Sequence, residues 1–266
     1  MSKMQNPITL FSYVTSPYAA KVHCYLLYKK LPFDIVYVNP FRLDRELPTG
    51  TQIPVLKIGL ESMQESAQIG FWLDHCFPDA ASILPGDKLL AQKVINMDQW
   101  VSESLIPAVF YSIYPQFKRP CLQTLSNALR LGYCVDRTTP GGLPWRTRFL
   151  WPLFLNRAEF IRQMTSPLRH SCSVGECRKD VFSFLSETLK NRQYLVDTDT
   201  PSMADLSAWP QIMMPYQLGL KGMEDFKSYP RVMEWLKEVA SYLDATEKQP
   251  LLIPNALNKH PKCHIE

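Results

Sequence analysis

The spacing of hydrophobic positions follows one pattern in the first third of the chain and another in the rest. In the first third, short runs rich in β-branched and aromatic residues predict strands at 8–13, 33–38 and 55–58. Gly59 is placed to turn the third of these into a short fourth strand near Met63. Apolar residues at helical spacing predict one helix after the first strand and another after the fourth. The predicted order is therefore β-α-β, a connector, and β-β-α.

Start signals mark both of these helices. Ser16 is a typical N-cap residue, and Pro17 suits the first position of the helix that follows. Ser66 is expected to cap the second helix in the same way. The stretch 79–87 contains a turn-forming Pro-Gly pair, so it is the best candidate for a linker.

Beyond the linker the hydrophobic period is helical. The run 89–104 predicts a long amphipathic helix that Pro107 ends or kinks. The stretch 116–155 holds seven of the prolines and glycines, so it is expected to be the least regular part of the chain.

Two more helices are predicted near the end of the chain. Ser202 and Asp205 form a capping box, and we expect Pro210 and Pro215 to interrupt the helix that it opens. The run 232–243 gives the last helix. The fold class is thus an α/β domain followed by an all-helical one. The predicted boundaries are 1–80 for the first domain, 81–87 for the linker, 88–249 for the helical domain with an extended basic insert at about 117–170, and 250–266 for a tail.

Charge is distributed unevenly. The net charge of +4 is too mild to indicate nucleic-acid binding. Residues 118–169, here called the basic segment, contain nine Lys or Arg against two acidic residues and carry +7. Two interpretations stay open: a solvated basic face, or a surface for an anionic ligand or partner.

Cysteine usage and apolar runs indicate the compartment. Seven cysteines without a CxxC pair, and a start without a signal-peptide pattern, predict reduced thiols and a cytoplasmic location. The longest apolar stretches are far too short to span a membrane. His170, Cys172 and Cys177 suggest zinc, but no fourth ligand stands at a suitable spacing, so no metal is predicted.

Several short motifs together resemble the cytosolic glutathione transferases, in particular larger bacterial members with a serine-type turn. In the first half they are Ser16-Pro17-Tyr18, Ile53-Pro54-Val55-Leu56 and Glu65-Ser66, set in the β-α-β-β-β-α order. In the second half they are Pro201-Ser202-Met203-Ala204-Asp205-Leu206 and Tyr229-Pro230-Arg231-Val232 with Trp235-Leu236. The resemblance implies a thioredoxin-like first domain, a homodimer, and glutathione held mainly by that domain.

Ser16 is the residue that the resemblance assigns to catalysis. Glutathione reacts as a thiolate, and a hydroxyl donor at a helix N-terminus stabilises a thiolate. The alternative is that Ser16 only caps its helix. Thr15 is the nearest substitute donor, and Tyr13 is a weaker one.

Five residues are implied to bind glutathione: Gln52, Ile53, Pro54, Glu65 and Ser66. Pro54 would be the cis-proline that leaves the Ile53 backbone to pair with the cysteinyl unit. Glu65 would meet the γ-glutamyl ammonium, and Ser66 with its helix N-terminus would meet the carboxylate. Many family members carry a lysine before the Ile/Val-Pro pair, whereas this chain has Gln52 there. Gln52 is therefore expected to act as a neutral donor.

The predicted function is that of a glutathione transferase, an enzyme of detoxification. Ser16 would stabilise the thiolate, which attacks a small hydrophobic electrophile by conjugation, ether cleavage or isomerisation. Trp100, Glu103, Phe110 and Tyr111 could contribute to the electrophile pocket, although core or dimer-interface roles suit them as well. The alternative function is a non-catalytic binding or adaptor protein of the same fold, acting through the basic segment. A thiol-disulfide oxidoreductase is disfavoured because the turn lacks a cysteine.

Overall fold

A computed structural model describes residues 6–114, 121–222, 224–243 and 251–260, with the side chains of Asn156, Arg169 and His170 left aside. Part of the basic segment, Lys118 and Arg119 with the side chain of Arg169, therefore lies outside the described residues. Within the described part, no helix is long and apolar enough to cross a membrane.

A four-stranded mixed sheet forms the first domain. Its strands are β1 (Ile8–Ser12), β2 (Asp34–Tyr37), β3 (Val55–Ile58) and β4 (Glu61–Gln64), in the spatial order β2-β1-β3-β4. β1 pairs with β2 in parallel and with β3 antiparallel, and β4 pairs with β3 as a hairpin. The four predicted strands are confirmed to within one or two residues, and the sheet order is that of a thioredoxin-like domain.

Two longer helices and one short one complete this domain. They are α1 (Pro17–Tyr28), α2 (Leu43–Glu46) and α3 (Ser66–Cys76). The Ser16 hydroxyl accepts a hydrogen bond from the Ala19 amide at 3.2 Å, so Ser16 is confirmed as an N-cap. The same prediction for Ser66 was wrong, because Ser66 is the first helical residue and Glu65 stands at the cap position.

Helices make up the second domain. They are α4 (Lys88–Trp100), α5 (Ile106–Ile113), α6 (Leu122–Thr138), α7 (Trp145–Arg157), α8 (Glu159–Ser171), α9 (Val174–Thr188), α10 (Met203–Gln217) and α11 (Pro230–Tyr242), with a π-helical turn at Val101–Leu105 and a 3-10 turn at Glu224–Ser228. The chain between α3 and α4 is irregular and contains the predicted linker 81–87.

Pro107 changes the helix geometry without ending the helix. A proline has no amide hydrogen for the carbonyl four residues earlier. The chain widens just before it into the π-helical turn, where the Ile106 amide donates to the Val101 carbonyl. The kink predicted at Pro107 is thus a local change of helix type.

Two sequence predictions for the helical domain were wrong. The stretch 116–155 is not irregular where the structure describes it, because α6 and α7 occupy most of it and two of its three glycines, Gly141 and Gly142, lie in the turn between them. Pro210 and Pro215 do not interrupt α10. All of its residues except Tyr216 are buried, and this packing outweighs the roughly 3 kcal/mol that each interior proline costs.

The two domains share one hydrophobic core, in which α1 packs along α10. A buried polar network lies at this contact. The Lys21 ammonium lies 2.7 Å from the Asp98 carboxylate, and both side chains are more than nine-tenths buried. Ser207 donates to the same carboxylate, and the Tyr25 hydroxyl lies 2.6 Å from that of Ser207. The ion pair therefore joins α1 of the first domain to α4 of the second.

The expectation that all cysteines are reduced was wrong for one pair. α8 ends just before Cys172 and α9 begins just after it, which brings the Cα atoms of Cys172 and Cys177 to 6.0 Å. This separation is within disulfide range, and the structure joins the two sulfurs. The pairing also removes both thiols from the zinc alternative, for which the His170 side chain lies outside the described residues.

Three of the four remaining described cysteines, Cys24, Cys121 and Cys134, should differ in reactivity. Cys121 is exposed and Cys24 is fully buried. Burial raises the pKa of Cys134 to about 11 and raises that of Cys24 well above its usual range. Because the thiolate is the nucleophile, we expect iodoacetamide to modify Cys121 in the folded protein and to leave Cys24 and Cys134 intact.

Timed alkylation followed by peptide mass spectrometry measures this difference, and the unfolded protein serves as the control in which all three thiols react. Modification of Cys24 at the rate of Cys121 in the folded state would contradict the prediction. The burial of Cys24 agrees with a packing role and not with that of a redox nucleophile.

Part of the predicted tail packs against the helical domain. Within 251–260, Leu252, Ile253 and Leu257 are buried. The Arg130 guanidinium donates to the Leu257 carbonyl at 2.6 Å, so this arginine of the basic segment is used to hold the tail.

Candidate active site

A cavity of about 570 Å³ lies between the two domains. The first domain contributes the turn after β1, the residue after β4, the N-terminal residues of α1 and α3, the connector, and the segment just before β3. The helical domain contributes α5 to α8. All six residues singled out in the sequence line it, namely Ser16, Gln52, Ile53, Pro54, Glu65 and Ser66. Their roles stay predictions, but the fold brings them to one place.

Ser16 directly precedes α1, in the turn that follows β1, and it is 8% exposed. Its oxygen accepts from the Ala19 amide, while its own hydrogen can still be donated to a ligand. The capping and donor roles are therefore compatible. The first amides of α1 add a positive partial charge beside the hydroxyl.

The two substitute donors considered in the sequence also line the cavity. Thr15 precedes Ser16 directly. Burial, with a smaller contribution from Glu46, raises the pKa of Tyr13 well above its usual range, so its phenol stays protonated at neutral pH.

The segment before β3 presents backbone groups to the cavity. The Ile53–Pro54 peptide bond is cis, as the resemblance implied. Gln52 is exposed, and its backbone carbonyl accepts a hydrogen bond from the Gln64 side-chain amide at 2.8 Å. This bond holds the backbone at Gln52 and does not involve the Gln52 side chain.

Glu65 has a strained backbone. Its φ of 66° lies in the left-handed region, which a residue with a side chain adopts only when its surroundings hold it there. Glu65 and Ser66 both line the cavity, at the point where α3 begins. Burial, with Glu65 and Asp98 as further contributors, raises the pKa of Tyr18, another cavity residue.

Aromatic side chains form the helical wall. Phe110 and Tyr114 stack with ring centroids 4.7 Å apart, and Phe160 meets Phe110 edge-on at 6.1 Å. Trp151 and Phe154 of α7 complete the wall. The connector reaches across to them, since Phe41 lies 5.1 Å from Phe154 in an edge-to-face contact.

Only one of the four residues considered for the electrophile pocket is in this wall. Phe110 lines the cavity, whereas Trp100 stacks on Phe184 at 4.4 Å. The Tyr111 hydroxyl donates to the Cys172 carbonyl at 3.3 Å, and Glu103 accepts from the Gln99 side chain. Trp151 and Phe154 were missed. Their spacing of three residues in an apolar stretch was the available signal, but it did not reveal which side of the helix meets the cavity.

Among the described side chains, no cluster of three His, Cys, Asp or Glu residues is arranged to hold a metal ion.

The fold defines a two-domain protein with a thioredoxin-like first domain, a helical second domain and a cavity between them. Family models for the N-terminal and C-terminal domains of glutathione S-transferase match residues 10–81 and 175–242, which together are just over half of the chain. The chain belongs to the glutathione S-transferase superfamily. Helices α4 to α8 lie between the two matched regions.

Three proteins that resemble this chain each share less than a quarter of their aligned residues with it. Prostaglandin E synthase 2 of Danio rerio is 22% identical over 275 residues, covering 86% of this chain and 69% of that protein. A glutathione S-transferase from Rhodospirillum rubrum has 18% identity and a TM-score of 0.58, covering 96% of this chain and 97% of its own. The β-etherase LigF from Sphingobium sp. strain SYK-6 has 19% identity and a TM-score of 0.57, with 88% and 95% covered. These structures share the fold with this chain.

Proposed function

We propose that the protein is a glutathione transferase in which Ser16 stabilises the glutathione thiolate for attack on a small hydrophobic electrophile. One observation carries the proposal. The six residues chosen from the sequence line one cavity, and the opposite wall of that cavity is aromatic.

The proposed site can supply the free energy that is needed to lower the pKa of the glutathione thiol. Lowering the pKa of a thiol from about 8.5 by two units takes roughly 2.7 kcal/mol. A hydroxyl donor to a charged acceptor supplies on the order of 1.5–3 kcal/mol. The N-terminus of α1 adds about 0.3–1 kcal/mol. Ser16 and its helix together can therefore keep most of the bound thiol ionised at neutral pH.

The ends of glutathione would be held by opposite charges and backbone groups. Glu65 would pair with the γ-glutamyl ammonium, and Ser66 with the α3 amides would bind the carboxylate. Ile53, freed by the cis bond to Pro54, would pair with the cysteinyl unit. Gln52 would donate to the glycyl carboxylate as a neutral group, where a lysine would have added charge.

The aromatic wall would receive the electrophile. Phe110, Tyr114, Trp151 and Phe154 offer ring faces and edges to a flat apolar substrate. In conjugation, the thiolate sulfur forms a bond to an electrophilic carbon while the leaving group departs with its electron pair. In ether cleavage the leaving group is the oxygen-bound part of the ether. In isomerisation the bond between sulfur and carbon would break again, so that the glutathione thiolate is regenerated.

Calorimetric titration with reduced glutathione tests the binding half of the proposal. We expect a dissociation constant in the micromolar to low millimolar range. Glu65→Gln should weaken binding roughly tenfold or more, because a charge-assisted hydrogen bond is lost. Glu61→Gln, on the exposed end of the neighbouring β4 strand, is the matched control and should bind as the parent does. Equal affinities for all three proteins would remove Glu65 from the site.

A non-catalytic binding or adaptor protein is the second candidate. It is favoured by Gln52 at the position where a lysine would bind the glycyl carboxylate, and by the extended basic segment. No heat at high glutathione concentration, together with no thermal shift, would support it. A homodimer, a cytoplasmic location and a role in detoxification belong to the enzyme proposal.

A further inference from the structure

α7 exposes large apolar side chains on the side that faces away from the cavity. Trp145 is 66% exposed and Phe149 is 72% exposed. Leu150 and Leu153 follow at 52% and 40%. The α7 outer face is defined here as Trp145, Arg146, Phe149, Leu150, Leu153 and Arg157. With about 100° between successive residues, these six positions fall within an arc of roughly 140°.

The opposite side of α7 is fixed against the protein. Trp151 and Leu155 are buried, and Trp151 lies directly over Gly132 of α6. A Cβ atom at Gly132 would come within 2.7 Å of the Trp151 ring, so the two helices approach closely at this point. The outer face is therefore not required for the core of the domain, and its orientation is set by packing behind it.

The charge on α7 is of one sign. The helix carries Arg146, Arg148 and Arg157 and contains no acidic residue. Arg148 is paired with the buried Asp136 carboxylate at 3.0 Å. Among the described residues, neither Arg146 nor Arg157 has an acidic partner, and the Arg146 guanidinium lies 5.4 Å from the centre of the Trp145 ring. Two uncompensated cations thus stand among four exposed apolar side chains.

This combination restricts what can cover the outer face. A second copy meeting it across a two-fold axis would place arginines against arginines. A membrane with anionic headgroups matches both features, because its interface accepts Trp, Phe and Leu side chains while its phosphates attract arginine. We propose that the α7 outer face docks the protein on an anionic lipid surface. This proposal stands independently of the transferase activity.

Vesicle co-sedimentation tests it directly. We expect the full chain to bind vesicles of phosphatidylcholine with about 30% phosphatidylserine more tightly than vesicles of phosphatidylcholine alone, and to be released as salt increases. Arg146→Glu with Arg157→Glu should lower the partition coefficient by roughly tenfold or more. Trp145→Ser with Phe149→Ser should lower it by a similar factor, because the inserted apolar area is lost.

Matched controls come from the first domain. Lys30→Glu alters an exposed lysine just after the end of α1 that lies opposite Ser16, and Leu60→Ser alters a leucine that is 99% exposed in the turn between β3 and β4. Both variants should bind vesicles as the parent does. Thermal unfolding of each variant separates lost binding from lost folding, since the altered side chains on α7 are exposed.

Two results would overturn the proposal. One is vesicle binding that is unchanged in both α7 double variants. The other is a parent protein that does not bind anionic vesicles and sediments as a dimer, while the Trp145→Ser, Phe149→Ser double variant sediments as a monomer. In that case the outer face would be an interface between copies.

Discussion

Ser16→Ala should lower glutathione-dependent turnover by about 10- to 100-fold while leaving glutathione binding nearly unchanged. The expected loss follows from the removal of one hydrogen bond to a charged acceptor, worth about 1.5–3 kcal/mol. The pKa of the bound thiol should rise by about one to two units. Turnover measured against pH, together with the ultraviolet absorbance of the bound thiolate, reports this shift as a rising limb displaced to higher pH.

The capping role of Ser16 requires its own control. Loss of a serine cap costs about 0.5–2 kcal/mol of folding stability. Ser173 caps α9 by the same kind of bond, from the Glu176 amide to its hydroxyl, and does not line the cavity. Ser173→Ala should lose stability and keep turnover, and Ser16→Thr should retain much of both. If Ser16→Ala turns over at the parent rate, Thr15 or Tyr13 becomes the candidate donor.

Lys21→Met should lower the free energy of unfolding by about 3–5 kcal/mol, the usual effect of leaving a buried charge without its partner. The change leaves the buried Asp98 carboxylate without its cation, so that only neutral groups such as the Ser207 hydroxyl still donate to it. For a chain of this length the melting temperature should fall by roughly 10 °C. In chemical denaturation, the free energy of unfolding should depend on denaturant concentration with the same slope as in the parent. An unchanged slope would show that the variant is less stable and that its folded and unfolded states are as compact as before.

Two variants make this result specific. Lys21→Met combined with Asp98→Asn removes both charges and keeps an acceptor for Ser207, so it should recover much of the loss. Lys190→Met removes an exposed lysine 3.3 Å from Glu187 and should cost at most about 1 kcal/mol. If Lys21→Met proves no more harmful than Lys190→Met, the buried pair does not stabilise the contact between α1 and α4.

The ion pair also bears on the site. Lys21 lies on the helix that Ser16 begins, and the Gln211 side chain donates to the Pro17 carbonyl at 3.2 Å. The start of α1 is thus held by the helical domain at two points. Loosening this contact would alter the distance between the serine hydroxyl and the aromatic wall.

Local chemistry along the chain was sufficient to predict the strands and the two longer helices of the first domain. Strand periods, the Ser-Pro start of α1 and the turn at Gly59 act over a few residues, so they are readable without tertiary contacts. The same holds for the capping box at Ser202, where the backbone amide donates to Asp205 at 3.0 Å. The first-domain residues that line the cavity were chosen because the short motifs that contain them resemble those of the glutathione transferases.

Tertiary structure decided the rest. Which side of α7 meets the cavity depends on its close approach to Gly132, a contact between helices that no local pattern records. The burial of α10 let two prolines remain inside a helix, against their intrinsic preference. The meeting of Cys172 with Cys177 follows from the turn between α8 and α9. In each case the outcome depends on contacts between residues far apart in sequence, or on a turn whose geometry is set by packing. These contacts and this geometry form only when the chain has folded, so the sequence pattern does not record them.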